Sequence, residues 1–248
     1  MRPAETDVLI LAGGLGTRLR PVVPDLPKPL AEVDKRPFVQ HLIEVVEAYR
    51  FRSITLCTGY KSGSFNTIIK ERNGEIEFSV EDEPLGTGGA LRLAFDRRIS
   101  RKLPYSDPAL VMNGDSICDA NLGRFINWFG STNFTVGLVT MRSDDPSKSG
   151  SIEIDHDNRV VRYNEKPETA GSSWINAGVY CIQHEVFELI PAGLNVSLER
   201  EIFQTLSKEQ LGAWTECETL IDIGTPDNYH LAQSVVPSIL KRVVDFKN

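Results

Sequence analysis

Leu11-Ala12-Gly13-Gly14-Leu15-Gly16-Thr17-Arg18-Leu19-Arg20-Pro21, with Pro27-Lys28-Pro29 close behind, is the stretch from which the rest of this chain is read. Asp7-Val8-Leu9-Ile10-Leu11 runs into it as a short apolar segment, which suits a strand buried on both faces of a parallel sheet. The glycines follow at once. Without Cβ atoms they let the backbone turn sharply and bring its N–H groups against an anion. Arg18 and Lys28 add positive charge on the same side, so the stretch is expected to be a phosphate-binding loop; the plainer alternative is a tight turn with a solvated Arg and Lys. Two better-known glycine loops do not fit. A dinucleotide fingerprint needs a third glycine where Leu19 stands, and a Walker loop needs Gly-Lys-Ser/Thr, which does not occur.

The chain has 248 residues, 41% hydrophobic and 25% charged, an ordinary balance for a globular protein with one large core, and a single domain over 1–248 is expected. Its formal net charge of -7 argues against general nucleic-acid binding. Cys57, Cys118, Cys181 and Cys217 are too far apart in sequence for a zinc knuckle or a CxxC pair and read as reduced core thiols. Glu5 and Asp7 precede only a five-residue apolar run, unlike a signal peptide, and no stretch has the length of a membrane span. A cytoplasmic protein without a membrane partner is expected.

Working outward, Pro37 to Tyr49 has helical spacing of Phe38, Leu42, Val45 and Val46, and Ser53 to Thr58 reads as a second strand. After Gly59-Tyr60 a helix is expected to Lys70, then a strand over Glu75 to Val80. Glu81 to Gly89 reads as a loop and Ala90 to Phe95 as a helix. Ala109 to Met112 is another short strand, running into Asn113-Gly114-Asp115. In an open α/β sheet the ligand lies outside the carboxyl ends of the strands, so the loops after Leu11, Val80 and Met112 share one rim. Further on, a helix is expected over Leu122 to Phe129 and strands over Phe134 to Met141 and Ile175 to Ile182. A hairpin over Ser151 to Asn164 delivers Glu165-Lys166-Pro167. Helices are expected at His184 to Leu189 and Leu198 to Leu206, with an antiparallel-looking segment over Ala213 to Ile223. Thr225 should cap a last helix starting at Pro226, kinked or divided by Pro237, whose amphipathic stretch Leu231 to Phe246 is a candidate subunit contact.

Gly-Gly-x-Gly-Thr-Arg-Leu-x-Pro followed by Pro-Lys-Pro resembles the signature of the sugar-phosphate nucleotidylyltransferases, and the resemblance extends from Val8 to Tyr229. It implies a Rossmann-like, doubly wound, mixed and mostly parallel α/β sheet of the GT-A-like kind, here without the β-helix extension of longer members. It implies an enzyme that joins a nucleoside triphosphate to a sugar 1-phosphate with Mg²⁺. Such a transfer needs positioning and charge neutralisation more than covalent help. Asp115, at a strand end, and Asp222, between apolar neighbours in Ile221-Asp222-Ile223, are the candidate metal ligands, since Mg²⁺ takes one or two carboxylates beside phosphates and waters. Taken singly, each also reads as an ordinary turn or strand-end aspartate.

By the same resemblance Arg18 holds the leaving pyrophosphate, Lys28 the α-phosphate and Lys166 the sugar's phosphate, with Arg18, Lys28 and Asp115 the catalytic set. Leu11, Ala12, Gly13, Gly14, Gly16 and Thr17 would line the nucleotide. Asn113, Gly114, Glu165 and Asn176 would face the sugar phosphate, although Asn176 also reads as satisfying local backbone. Leu85-Gly86-Thr87-Gly88-Gly89 is the family's second signature, where Gly86, Thr87 and Gly88 would lie beside the base. Glu81 or Glu83 suits the N1–H and amino group of guanine; a solvated acidic strand end is the plainer reading. Within the family the loop and its Val22-Val23-Pro24-Asp25-Leu26 insert look most like the D-glycero-D-manno-heptose 1-phosphate guanylyltransferases of bacterial surface-polysaccharide synthesis, which favours GTP. Mannose 1-phosphate guanylyltransferase, or a thymidylyl or cytidylyl relative, is the nearest alternative. A nucleotide-sugar sensor is the alternative of another class, opposed by the presence of Arg18, Lys28, Asp115, Lys166 and Asp222 together.

Overall fold

A computed structural model describes residues 1–66, 68, 76–144, 151–164 and 173–245. The apolar run before the glycines is strand β1 (Asp7–Leu11), followed by a two-residue pair, β2 (Glu32–Val33) and β3 (Arg36–Pro37), that leads into α1 (Phe38–Ala48). Then come β4 (Ser53–Thr58), β5 (Ile76–Val80), α2 (Gly86–Ser100), β6 (Ala109–Asn113), β7 (Ser116–Cys118) and α3 (Leu122–Phe129). The second half holds β8 (Val136–Ser143), β9 (Ser151–Ile154), β10 (Val160–Asn164), β11 (Ser173–Ile182), α4 (His184–Leu189), β12 (Leu211–Trp214), β13 (Leu220–Asp222) and α5 (Pro226–Asp245).

Among the described residues the main sheet has nine strands, in the order β10-β9-β11-β6-β1-β4-β5, with β8 on the other side of β11 and β12 beyond it. β1 sits between β4 and β6, parallel to both, and β5 extends that parallel half. β11 then runs antiparallel to β6, to β8 and to β9. Its reversal leaves β1, β4, β5, β6, β8, β9 and β12 pointing one way and only β10 and β11 the other, a mixed and mostly parallel sheet.

Strand alternation explains the two faces. Val8 and Ile10 enter one core with Phe38, Val39 and Leu42 of α1, Phe125 and Ile126 of α3, and Ala232 and Val236 of α5. Leu9, between them, enters the other with Ala90, Leu91 and Ala94 of α2 and Val186 and Phe187 of α4. Helices on both faces are why β1 is apolar at each of these positions. Each fully buried Val, Leu, Ile or Phe side chain among these contributes about 1.5–3 kcal/mol.

Several elements differ from the sequence reading for local reasons. α2 begins at Gly86, four residues earlier than expected, because the Gly88 and Gly89 amides donate to the Val196 carbonyl and tertiary contact overrides the poor helix propensity of glycine. The segment expected to be antiparallel over Ala213 to Ile223 is two strands in different sheets: β12 lies parallel to β8, whereas β13 pairs antiparallel with β7 in a separate ribbon. α5 continues through Pro237 undivided. Residues 198–205 form a π turn and a 3₁₀ turn. The helix expected after Gly59 is described only in part, as a short 3₁₀ turn over Ser62–Phe65.

Candidate functional site

At the carboxyl ends of β1, β5 and β6 the three expected loops meet around a cavity of about 480 Å³. Its lining includes Leu11, Gly13, Gly14, Gly16, Thr17, Arg18 and Lys28 from the first loop region, Glu81, Gly86 and Thr87 from the second, and Asn113 and Asp115 from the third. Gly16 has φ +58°, a left-handed conformation that glycine adopts without strain, and a Cβ there would lie 3.0 Å from the Lys28 Cβ. The turn at Gly16 and the Pro-Lys-Pro segment therefore pack directly against each other, which explains why both belong to one sequence pattern.

Lys28 is 9% exposed, and its Nζ donates to Asp115 Oδ2 at 2.5 Å. Asp222 arrives from the opposite strand of the β7–β13 ribbon, where it pairs in register with Ser116, and the Ile223 amide donates to the Asp115 carbonyl. The point a Cβ on Gly224 would occupy lies 2.5 Å from Asp222 Oδ1, 3.0 Å from Lys28 Nζ and 3.4 Å from an Arg18 guanidinium nitrogen. Two carboxylates and two cations thus converge around Gly224 in the cavity lining, and residues 115 and 222 are brought together by a ribbon of three residues a side. Asp222 is oriented by the Gly224 amide on Oδ1 and the Asn228 side-chain amide on Oδ2, each at 2.7 Å.

At the other end of the cavity Glu81 has one carboxylate oxygen against Gly13 and Gly59, so close that a Cβ on Gly13 would fall 2.7 Å from it; its second oxygen accepts the Leu85 amide at 3.1 Å. Burial raises the Glu81 carboxyl above its ordinary value, and the Leu85 hydrogen bond only partly offsets this. Glu83 is exposed and lies outside the lining. Thr87 lines the cavity, but its hydroxyl donates to Glu199 at 2.9 Å and accepts the Leu198 amide at 2.8 Å.

The remaining sequence candidates stand one layer back. Ala12 is fully buried and its amide donates to the Cys57 carbonyl; the Gly114 amide donates to the Leu11 carbonyl, locking the third loop to the first. The Gly88 amide is taken by Val196. Asn176 accepts the Gly178 amide at 2.8 Å and donates to the Tyr180 and Tyr163 hydroxyls, at 2.7 and 3.2 Å. Glu165 and Lys166 lie outside the described residues. Asn195 also lines the cavity, donating to the Pro84 carbonyl at 2.8 Å. No nucleotide-binding motif marks it, since only tertiary contact between the 195–198 segment and the start of α2 brings it there. Asn113 Oδ1 is buried without a hydrogen-bond partner among the described residues, an acceptor left open in the wall of the cavity.

A protein-family model described as nucleotidyl transferase matches residues 7–238. Mannose-1-phosphate guanylyltransferase from Mycobacterium tuberculosis is 32% identical over 249 residues, covering 96% of this chain and 68% of the relative. Mannose-1-phosphate guanyltransferase from Pichia angusta is 36% identical over 228 residues, covering 89% of this chain and 61% of the relative. The chain therefore spans about two-thirds of the length of these relatives. Among solved structures, HddC from Yersinia pseudotuberculosis superposes with a TM-score of 0.78 at 32% identity, covering 93% of this chain and 99% of that one. The same Yersinia protein complexed with GMP-PN gives a TM-score of 0.78 at 31% identity.

Proposed function

The chain belongs to the nucleotidyl transferase family, and on that premise we propose that it transfers GMP from GTP to a sugar 1-phosphate, giving a nucleotide sugar and pyrophosphate. The observation that carries this reading is the convergence of Lys28, Arg18, Asp115 and Asp222 at the end of the glycine loop. A phosphate oxygen of the sugar attacks the α-phosphorus of GTP, the bond from that phosphorus to the bridging oxygen breaks, and pyrophosphate leaves. Lys28, already desolvated, meets the charge that builds on the α-phosphate, and Arg18 at the open side of the cavity holds the departing pyrophosphate. Asn113 Oδ1 accepts a sugar hydroxyl, Lys166 takes the sugar's phosphate and Glu165 a second hydroxyl. Asn176 shapes that side of the site through the tyrosines it holds.

Asp115 and Asp222 fit a hard cation: both offer oxygen donors, Asp115 is paired with the Lys28 ammonium and Asp222 stands beside Gly224 next to it, and two carboxylates are what Mg²⁺ takes beside phosphate oxygens and water. Bound there, Mg²⁺ supplies countercharge to the phosphate oxygens.

The choice of GTP rests on Glu81, whose carboxylate faces the glycine loop and suits the N1–H and amino group of guanine, and on relatives named as guanylyltransferases. For the sugar, the loop and its insert favour D-glycero-D-manno-heptose 1-phosphate. Mannose 1-phosphate is the second reading, favoured by the names of the longer relatives. Pyrophosphate release measured with Mg²⁺ across the common nucleoside triphosphates and heptose, mannose and glucose 1-phosphates tests both. GTP with the heptose is the expected pair. Release with GTP and mannose 1-phosphate alone replaces the sugar, and nucleotide-sugar binding without release throughout replaces the enzyme with a sensor.

A further inference from the structure

Glu199 lies outside the cavity lining, yet its carboxylate connects two residues that belong to it, Thr87 and Asn113. On one side Glu199 Oε2 accepts the Thr87 hydroxyl at 2.9 Å and the Ser197 hydroxyl at 3.2 Å. On the other, Oε1 accepts the hydroxyl of the fully buried Tyr180 at 3.2 Å. That hydroxyl accepts the Asn176 side-chain amide at 2.7 Å, and Asn176 Oδ1 accepts the Gly178 amide at 2.8 Å. Between Asn176 and Tyr180 the register of β11 against β8 shifts, and Gly178, with φ +74°, stands in that interval. A Cβ on Gly178 would lie 2.8 Å from Asn113 Nδ2, so the bend packs against the cavity residue whose Oδ1 has no partner among the described residues.

The direction of these bonds calls for acceptors at both oxygens of residue 199. The Thr87 hydroxyl already accepts the Leu198 amide, the Ser197 hydroxyl the Arg200 amide and the Tyr180 hydroxyl the Asn176 amide, so each has its one hydrogen left to donate. A carboxylate, which only accepts, takes all three. A carboxamide does not, because its NH₂ end faces one set of donors. Burial first, and then the Glu199 charge, push the Tyr180 phenol well above its ordinary value and keep it the donor. We propose that Glu199 is a positioning residue, setting Thr87 on the nucleotide side of the cavity and, through Tyr180, Asn176 and the Gly178 bend, Asn113 on the sugar side. What the two sides hold rests on the function proposed above. Glu199 acts through these neighbours, keeping a wall from α2 and a wall from β6 in register for a ligand that spans both.

The test is titration calorimetry of the full chain, with Mg²⁺, using GTP for the nucleotide side and GDP-mannose or the GDP-heptose as ligands that span both sides. Tyr180→Phe removes only the hydroxyl and keeps the ring. It is expected to raise the Kd for the nucleotide sugar roughly 10-fold and to leave the Kd for GTP within about twofold of the wild type. Glu199→Gln is expected to weaken GTP as well, through Thr87. In that background Tyr180→Phe should add less than about twofold, because the connection it breaks is already cut. Equal weakening of both ligands by Tyr180→Phe, no weakening of either, or an undiminished effect in the Glu199→Gln background overturns the proposal. If Glu199→Gln lacks a cooperative thermal transition, the two Kd values of Tyr180→Phe decide alone. A wild type that binds the nucleotide sugar but releases no pyrophosphate defeats the proposed reaction and leaves the comparison of variants standing. Binding of neither ligand by the wild type overturns both.

Discussion

Lys28 is a nearly buried cation whose closest partner is a carboxylate that a metal would share. Lys28→Ala is expected to lower turnover by about 10²–10³-fold, the scale for removing one preorganised charge from a reacting centre, with an unchanged circular dichroism spectrum. Glu81→Gln keeps the shape but turns one of the two acceptors into a donor. Loss of a buried hydrogen-bonding match costs specificity steeply, so kcat/KM for GTP should fall at least about 100-fold relative to the wild type while other triphosphates change little. At the opposite end of β1, Asp7 bonds with Arg52, the Ser53 hydroxyl and the Ser106 amide, with Arg98 at 3.6 Å. Burial pulls its carboxyl up, yet these partners together outweigh burial and hold it below the usual value. With the folded value depressed, the unfolded chain binds the proton more readily. The contribution is full above the unfolded value near 3.9 and is lost as pH falls through the folded one. Urea midpoints measured between pH 6 and pH 2.5 should show it, and Asp7→Asn should cost about 3 kcal/mol at neutral pH by leaving buried arginine charge uncompensated.

Among the elements, α2 shows how a helix can begin inside a glycine-rich signature. Gly86 has φ +69°, and a Cβ there would sit 2.5 Å from the Val196 carbonyl oxygen, which itself receives the Gly88 and Gly89 amides. Gly86→Ala is therefore expected to cost more than about 1 kcal/mol and to raise the KM for GTP more than it lowers kcat, because it displaces the start of α2 and not the Lys28–Asp115 pair; steady-state kinetics and denaturant titration separate the two effects. The helices and strands with strong periodicity were legible from sequence: α1, α3, α4, β4 and the β9–β10 hairpin lie within a residue or two of expectation. The start of α2 was not, because it depends on the 195–198 segment more than a hundred residues away. β12 and β13 were run together because a short apolar stretch does not say which edge it joins, and the β7–β13 ribbon is visible only once both strands are in place.

At the scale of the whole molecule, three loops on one rim follow from strand order and the position of glycines, and the part of the cavity lined by the first loop is accordingly readable in advance. The reach of the site into the second half of the chain is expected from the sequence through Glu165, Lys166, Asn176 and Asp222; what the sequence does not show is Asn195 and the hydrogen bonds that turn Asn176 toward its tyrosines. A ligand that ties these parts together should stabilise them together. GTP with Mg²⁺ at 100 times its Kd is expected to add about 2.7 kcal/mol to unfolding, and a chelator should remove the metal-dependent share in a thermal shift experiment. The ribbon has a consequence for how the protein is made. A ribosome delivers the glycine loop and Asp115 early, yet Asp222 only after more than a hundred further residues, so on the function proposed above a nascent chain halted between them would hold the glycine loop and one of the two carboxylates proposed for the metal. On that reading turnover is expected only once β13 emerges and pairs with β7.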